Sequence, residues 1–298
     1  MTYNFGATVA TSSSLDQALS KKKPAMLTKP ASPIRLRRIL LTGAAGNLGR
    51  ELRPRLKAYC DTLRLSHRSE FGAAAAGEEI VIASLEDKAA MLGLLKDVDA
   101  VVHMGGVSTE QAWEPILAGN IIGMVNLYES ARKNGVKRIV FASSNHVTGF
   151  YRQDEVIGPK DPVRPDGFYG LSKAFGENLA QLYWDRYRIE TVSLRIGSSF
   201  AEPKDRRMLA TWMSFDDTER LVVAALTAPV VGHTIIYGMS DNSTTWWDNT
   251  SARHIGYRPR DSSDVFRDKV EARQQTLDAS DPAVVHQGGA FVRTGPLE

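Results

Sequence analysis

The sequence predicts an α/β fold in which a doubly wound parallel sheet is followed by a smaller C-terminal lobe. From Arg37 to about residue 200, short apolar runs alternate with longer segments of helical period. That alternation is typical of a parallel sheet covered by helices on both faces. Beyond Pro203 the pattern changes to short helices and loops with one more strand. A chain of 298 residues is long enough for a large domain that carries a smaller one.

The strands and helices follow in order from the apolar pattern. Short runs rich in branched aliphatic residues predict strands, at residues 39–41, 62–66, 80–83, 100–103, 138–142, 191–194 and 234–237. Apolar residues that repeat with a helical period predict helices, at about residues 47–58, 88–95, 113–134 and 169–187. Residues 37–200 are therefore predicted to form the sheet domain, and residues 201–298 the small lobe packed on it.

The first 36 residues differ in composition from the rest of the chain. They are rich in Ser, Thr, Ala and Lys, and Asp16 is their only acidic residue. This composition predicts a disordered basic tail. An organelle transit peptide is the alternative, and it is disfavoured because the segment shows little amphipathic pattern.

The overall composition excludes several classes of protein. Hydrophobic residues make up 43% of the chain and charged residues 24%, which is typical of a soluble globular protein. The net charge of +3 comes partly from the tail, so we expect no nucleic-acid partner. The single cysteine, Cys60, permits no internal disulfide and no thiolate metal site, which favours a cytoplasmic protein without a metal. The apolar runs are too short to cross a membrane.

A glycine-rich turn follows the first predicted strand and opens the first predicted helix. Gly43, Gly46 and Gly49 are spaced Gly-x-x-Gly-x-x-Gly, with Asn47 and Leu48 before the last glycine. The first glycine allows the tight turn, the second lets a pyrophosphate approach the backbone, and the third lets helix pack on strand. The helix N-terminus then attracts the anion. The motif predicts a dinucleotide-binding, Rossmann-type domain, with a purely structural turn as the alternative.

This spacing resembles the extended short-chain dehydrogenase/reductase family, which includes sugar-nucleotide epimerases. In such folds an acid at the end of the second strand usually binds the adenosine ribose of NAD. Here His67 stands at that position and Arg68 follows it, while Ser84, before Leu85, stands where the family often has an Asp facing adenine. A cation could accommodate the 2′-phosphate of NADP, or both residues could be exposed loop residues. NAD is the expected cofactor, and NADP stays open.

Three residues are candidates for the chemistry. Tyr169 and Lys173 are four residues apart, so on a helix they share one face. A tyrosine ordinarily titrates near 10, and the lysine cation is expected to lower the pKa of Tyr169 until it is a usable base. Ser144 ends a predicted strand, where open α/β sheets bind ligands, and can donate to a substrate oxygen. A solvated helix face is the alternative for the Tyr-x-x-x-Lys pair taken alone.

Longer stretches resemble the bacterial uronate dehydrogenases over nearly the whole chain after the tail. The matching stretches are residues 103–108, 119–123, 142–146, 195–198, 207–212 and 246–249. The resemblance implies oxidation of a hexuronate, glucuronate or galacturonate, at the anomeric carbon to an aldarolactone, with hydride transfer to NAD(P). It implies that Lys173 contacts the nicotinamide ribose and that the sugar contacts Ser108, Ser144, Asn145, His146, Tyr169 and Ser198.

The resemblance also places Arg207 on the carboxylate of the sugar. The planar guanidinium fork of arginine suits a carboxylate. A surface arginine beside Arg206 is the alternative. We also expect a homo-oligomer. For Asn120, the alternatives are a water held near Lys173 and a role in helix packing. For the pair Trp246 and Trp247, the core of the small lobe is preferred to sugar stacking.

Other functions stay open at this point. A neutral aldose 1-dehydrogenase would need no carboxylate clamp. A sugar-nucleotide epimerase or dehydratase would share the fold, but a dehydratase needs an acid beside the catalytic serine, where this chain has Asn145 and His146. A non-catalytic dinucleotide sensor would keep the fold without the chemistry, and the intact Tyr169 and Lys173 argue against it.

Overall fold

The protein is built on a sheet of parallel strands. The computed structural model describes residues 35–273 and 278–295, and in these ranges seven strands lie in the order β3-β2-β1-β4-β5-β6-β7. They are β1 Leu36–Thr42, β2 Cys60–His67, β3 Glu78–Ile82, β4 Ala100–His103, β5 Arg138–Ser144, β6 Glu190–Ile196 and β7 His233–Gly238. The predicted α/β fold with a doubly wound parallel sheet is confirmed. The strand order reverses between β1 and β4, which opens a crevice at the carboxyl ends of the strands.

Helices cover both faces of this sheet. The longer ones are α1 Asn47–Leu56, α2 Lys88–Leu94, α4 Gly123–Asn134, α5 Phe168–Tyr187 and α7 Phe215–Thr227. Short helical segments are α3 Trp113–Ile116, α6 Met208–Thr211, α8 Arg267–Glu271 and α9 Pro282–Val285. The helix predicted over 113–134 is present, but its middle part, Leu117–Ile122, is π-helical and joins α3 to α4. Such wide turns are common near functional sites.

The core consists of two apolar layers, one on each face of the sheet. Successive residues of a strand point to opposite faces, so Ile39 and Leu41 of β1 pack with α1 and α7, while Leu40 packs with α2 and α4. Both layers are fully buried. Burial on both faces explains why the strands were recognisable as nearly continuous apolar runs.

The residues after 200 contribute to the main sheet as well as to the surface around the crevice. The strand predicted at 234–237 was assigned to the small lobe, but β7 pairs with β6 along its length and is the edge strand of the main sheet. A third apolar cluster contains Tyr237, Trp246 and Trp247, which places both tryptophans in a core as expected. The division at residue 200 stays a prediction.

Residues 1–34, which include most of the predicted tail, lie outside the described residues. Leu36 is the last residue of the predicted tail, but in the structure it is already the first residue of β1. Within 35–273 and 278–295, no helix is both long and apolar enough to cross a membrane. The same residues contain no group of three or more His, Cys, Asp or Glu that could hold a metal ion.

Candidate active site

The glycine turn lies between β1 and α1, at the centre of the crevice. Gly43 has φ +67°, and a Cβ there would come within 2.5 Å of the Met104 carbonyl oxygen. A Cβ on Gly49 would overlap the Gly43 carbonyl oxygen. Gly46 is the N-cap of α1, and no side chain of the described residues caps that helix. The first-turn amides, which include those of Asn47 and Leu48, therefore face the crevice, as a pyrophosphate requires.

The residues predicted to contact the adenosine lie beside this turn. The amide of Ala44 donates to the carbonyl oxygen of Ser66 at 3.1 Å, which ties the turn to the end of β2. His67 is the last residue of β2, and the amide of Ala83 donates to its carbonyl oxygen at 3.0 Å. Arg68 follows His67 and is exposed, whereas Ser84 and Leu85 follow β3 and are half-buried. The structure thus brings the predicted cofactor residues to one edge of the sheet.

The three predicted catalytic residues meet at the carboxyl end of β5. Lys173 of α5 donates from Nζ to the Ala142 carbonyl oxygen at 2.9 Å, and this Nζ lies 5.5 Å from the centre of the Tyr169 ring. Ser144 ends β5, and its Oγ accepts from the amide of His146 at 3.2 Å. Tyr169, Lys173 and Ser144 are all buried. Burial makes their polar atoms strong partners for a substrate because water does not compete there.

The charge state of this trio differs from the sequence expectation. Burial raises the pKa of Tyr169 to about 12, and the hydroxyl of Ser144 opposes that rise without cancelling it. Burial also lowers the pKa of Lys173 to about 8. The expectation that the lysine cation lowers the tyrosine pKa was wrong, because burial disfavours the charged phenolate and is the largest cause of the shift.

Glu110, which the sequence analysis missed, holds the beginning of α5. Its two carboxylate oxygens accept from the amides of Phe168 at 2.9 Å and Tyr169 at 2.8 Å. A carboxylate at a helix N-terminus satisfies otherwise unpaired amides and complements the helix dipole. Glu110 therefore fixes the turn that carries the catalytic tyrosine. It lies far from α5 in the sequence, so no local pattern could have indicated it.

His146 is held by two further residues that the sequence analysis missed. Its Nδ1 lies 2.6 Å from an oxygen of the buried Asp166, and its ring stacks on Phe291 with 3.8 Å between ring centres. Burial lowers the pKa of His146, and the charge of Asp166 opposes this shift. A neutral imidazole that donates from Nδ1 to Asp166 keeps Nε2 as an acceptor for a sugar hydroxyl.

Arg207 lies at the same end of β5, joined to Asn145. Its Nε donates to the Gln287 carbonyl oxygen at 2.6 Å. The Asn145 amide, in the orientation that satisfies its neighbours, accepts from Nη2 of Arg207 at 2.8 Å and donates to the Ile196 carbonyl oxygen at 3.0 Å. Burial lowers the pKa of Arg207. This arginine is therefore part of the site rather than a free surface residue like the exposed Arg206.

The remaining predicted sugar ligands lie on the loops around this centre. Ser198 is buried, and its Oγ lies 2.9 Å from Oγ1 of Thr211. Ser108 is exposed on the loop that follows β4. Oδ1 of the buried Asn120 accepts from the amide of Val107 at 2.8 Å. Its Nδ2 donates to the Val107 carbonyl oxygen at 3.0 Å and to Ser172 Oγ at 2.9 Å. Of the two roles considered for Asn120, the structure shows packing, between the π-helical turn, the β4 loop and α5.

A dinucleotide cradle beside a buried Tyr-Lys-Ser set defines a nicotinamide-dependent oxidoreductase of the short-chain type. Comparison with known proteins agrees with this class. The chain belongs to the NAD dependent epimerase/dehydratase family, whose sequence model matches residues 39–228. The predicted membership of an NAD-dependent family is therefore confirmed.

Within this family the chain falls among the uronate dehydrogenases. The uronate dehydrogenase of Pseudomonas putida is 58% identical over 261 residues, which are 87% of this chain and 97% of that protein. The uronate dehydrogenase of Agrobacterium fabrum is 47% identical over 86% of this chain and 97% of its own length. The predicted resemblance is confirmed.

Solved structures agree at the level of the fold. The crystal structure of a glucuronic acid dehydrogenase from Chromohalobacter salexigens matches with a TM-score of 0.86 at 50% identity, covering 87% of this chain and 98% of that one. A uronate dehydrogenase mutant from Agrobacterium tumefaciens, complexed with NAD, matches with a TM-score of 0.86 at 45% identity, covering 88% of this chain and 99% of that one.

Proposed function

We propose that this chain oxidises a hexuronate, glucuronate or galacturonate, at its anomeric carbon to an aldarolactone, with NAD as the hydride acceptor. The observation that carries this proposal is Arg207. Two of its five N–H groups are used by Gln287 and Asn145, and Asn145 directly follows Ser144 in the sequence. The three other N–H groups have no partner among residues 35–273 and 278–295, and a planar carboxylate is the anion that fits them.

The residues of the crevice fit a dinucleotide. A Cβ on Gly43 would collide with the Met104 backbone, and a Cβ on Gly49 would collide with the turn itself. The absence of these side chains leaves room for a pyrophosphate against the amides of α1. Lys173, in reach of both Tyr169 and the end of β5, would contact the nicotinamide ribose. Bound NAD supplies the acceptor for the hydride.

The protein's own part in the reaction is to hold and move one proton. Ser144 and Tyr169 bind the anomeric hydroxyl, and the Tyr169 oxygen takes its proton as the carbon is oxidised. The raised pKa of about 12 makes the tyrosinate a strong base, although a scarce one at neutral pH. His146, fixed by Asp166 and Phe291, accepts from a neighbouring sugar hydroxyl. Ser108 and Ser198 are proposed as further sugar ligands.

The first test removes the base. Tyr169→Phe keeps the ring and loses the hydroxyl, so we expect turnover of glucuronate with NAD to fall by about 10²- to 10⁴-fold. Binding of NAD, followed by calorimetry, should stay unchanged. Tyr187→Phe is the matched control, because Tyr187 is an exposed tyrosine on the same helix. Full turnover by Tyr169→Phe would contradict the assignment of the base.

The second test concerns the carboxylate. Arg207→Ala should lower kcat/KM for glucuronate by about ten- to hundredfold, since a charge-assisted hydrogen bond contributes roughly 1.5–3 kcal/mol. It should not lower kcat/KM for glucose or arabinose, which lack the carboxylate. Arg206→Ala, a change in the exposed neighbour, is the control. Equal losses for uronates and neutral sugars would instead favour a neutral aldose 1-dehydrogenase.

Similarity to an enzyme of neutral sugars supports the neutral aldose 1-dehydrogenase as the second candidate function. An L-arabinose 1-dehydrogenase (NAD(P)+) of Haloferax volcanii is 34% identical over 76% of this chain and 97% of its own length. Arg207 is the reason that we place the uronate first. The homo-oligomer, the cytoplasmic location and the domain boundary at residue 200 stay predictions.

A further inference from the structure

Three basic residues lie around the end of β2, where a Rossmann-type fold that binds NAD usually has an acid. Arg50 lies in α1 one position after the last glycine of the turn, His67 ends β2, and Arg68 follows it. Arg50 and Arg68 are exposed. Among the described residues, neither side chain makes a hydrogen bond or an ion pair. Two free guanidinium groups therefore flank the point where the adenosine ribose of a dinucleotide would lie.

Two of the neighbouring acids are already paired with other arginines. Glu51, next to Arg50, pairs with Arg55 at 2.8 Å. Glu78 of β3 pairs with Arg53 at 2.7 Å. The nearest acid along the chain after Arg68 is the exposed Glu70. Arg50 and Arg68 together outweigh the single charge of Glu70, so the net charge at the mouth of the crevice is positive.

A backbone hydrogen bond and a ring contact fix the position of His67 beside the glycine turn. The bond from the Ala44 amide to the Ser66 carbonyl joins the glycine turn to β2, so Arg50 and His67 stand on either side of the same junction. The His67 ring packs edge-on against Phe71, with 6.0 Å between ring centres. Burial lowers the pKa of His67, and the positive charges of Arg68 and Arg50 lower it further.

In a Rossmann-type fold this place decides the cofactor. An acid there accepts from the ribose hydroxyls of NAD and repels a phosphate, whereas an arginine accommodates the 2′-phosphate of NADP. We propose that Arg50, His67 and Arg68 form a subsite for the 2′-phosphate, so that the enzyme uses NADP in addition to NAD. The proposal rests on the dinucleotide site described above and extends it by this one group.

Binding of adenosine fragments tests the subsite without any sugar. The purified full chain is titrated by calorimetry with adenosine 2′,5′-bisphosphate and with 5′-AMP. We expect the bisphosphate to bind at least about tenfold more tightly, because each charge-assisted contact to a phosphate contributes a factor of that order. The advantage should shrink in raised salt, since exposed charges are screened. Equal or weaker binding of the bisphosphate would overturn the proposal.

Variants assign the effect to the three residues. Arg50→Ala and Arg68→Ala should each weaken the bisphosphate about tenfold and change 5′-AMP little. His67→Asp, which restores an acid, should remove the preference for the bisphosphate and leave 5′-AMP binding intact. Arg253→Ala, an exposed arginine beyond β7 at the other edge of the sheet, is the matched control. Variants that leave the bisphosphate unaffected would refute the subsite.

Steady-state rates separate this proposal from the proposed function. With glucuronate, wild type should reduce both cofactors, and kcat/KM for NADP relative to NAD should fall about tenfold or more in His67→Asp. If glucuronate is oxidised with NAD alone and the bisphosphate has no advantage, the subsite fails and the proposed function stands. If no sugar acid is oxidised, the proposed function fails, and the fragment titrations still decide the subsite.

Discussion

Replacing Lys173 with methionine should stabilise the fold at pH 7 and remove turnover at the same time. Lys173 is buried against Tyr169 and Phe141, and its Nζ has one hydrogen bond among the described residues, to the Ala142 carbonyl. Burial lowers its pKa from 10.5 to about 8. At neutral pH the folded protein therefore holds an ammonium ion that the unfolded chain would hydrate far better.

The size of the effect follows from that shift. A lowered pKa means that the unfolded chain binds more protons than the folded one between pH 8 and 10.5, so the free energy of unfolding of wild type rises with pH across that window. One pKa unit is about 1.4 kcal/mol, so the buried ammonium costs about 3 kcal/mol at pH 7. Methionine removes this cost, but the loss of the hydrogen bond to Ala142 lowers the free energy of unfolding by about 1 kcal/mol. The net stabilisation at pH 7 should be about 2 kcal/mol.

The comparison of two pH values isolates the charge. Urea unfolding of wild type and Lys173→Met is measured at pH 7 and at pH 10, where most of the wild-type lysine is neutral when folded. The difference between the two proteins should change by about 2–3 kcal/mol between these conditions, and the lost hydrogen bond cancels from that change. Lys137→Met, at an exposed lysine, should show no such dependence. An equal difference at both pH values would refute the reasoning.

Two more substitutions test the cradle and the core. Gly49→Ala places a Cβ on the Gly43 carbonyl, so NAD binding measured by calorimetry should weaken at least about tenfold and the free energy of unfolding should fall by about 1–3 kcal/mol. Gly93→Ala, with open space around it, is the control and should gain about 0.5–1 kcal/mol. Normal NAD binding by Gly49→Ala would contradict the predicted pyrophosphate site. Glu177→Gln leaves the buried Arg195 without the carboxylate that now accepts from it at 2.8 and 2.9 Å, so urea unfolding should show a loss of about 3–5 kcal/mol. Asp154→Asn, in an exposed pair with Arg152, is the control. An equally small loss for both variants would contradict a stabilising role for the buried Glu177–Arg195 pair.

Local patterns were enough to predict the sheet. Each predicted strand is present, because strands buried on both faces read as apolar runs. The glycine turn was equally visible, since its three glycines are required by the backbone itself. What the local pattern could not show is the π-helical turn around Asn120, because the side-chain bonds of that residue go to the β4 loop and to α5.

The site was predicted in part. The structure brings Ser144, Tyr169 and Lys173 together, but Glu110, Asp166 and Phe291 act through contacts with residues distant in sequence. No spacing rule identifies such partners. The tyrosine pKa was predicted in the wrong direction, because a rule for neighbouring charges takes no account of how deeply both groups are buried.

The stacking of Phe291 on His146 has a consequence for the order in which the protein becomes functional during synthesis. The glycine turn and β1 to β5 come from the first half of the chain, whereas the residues that fix His146 and Arg207 include Phe291 and Gln287, near its end. A growing chain can complete its dinucleotide cradle long before its sugar pocket. A chain that ends after α9 lacks Gln287 and Phe291 but keeps the residues of all three apolar clusters. It should therefore still bind the cofactor and have lost the sugar.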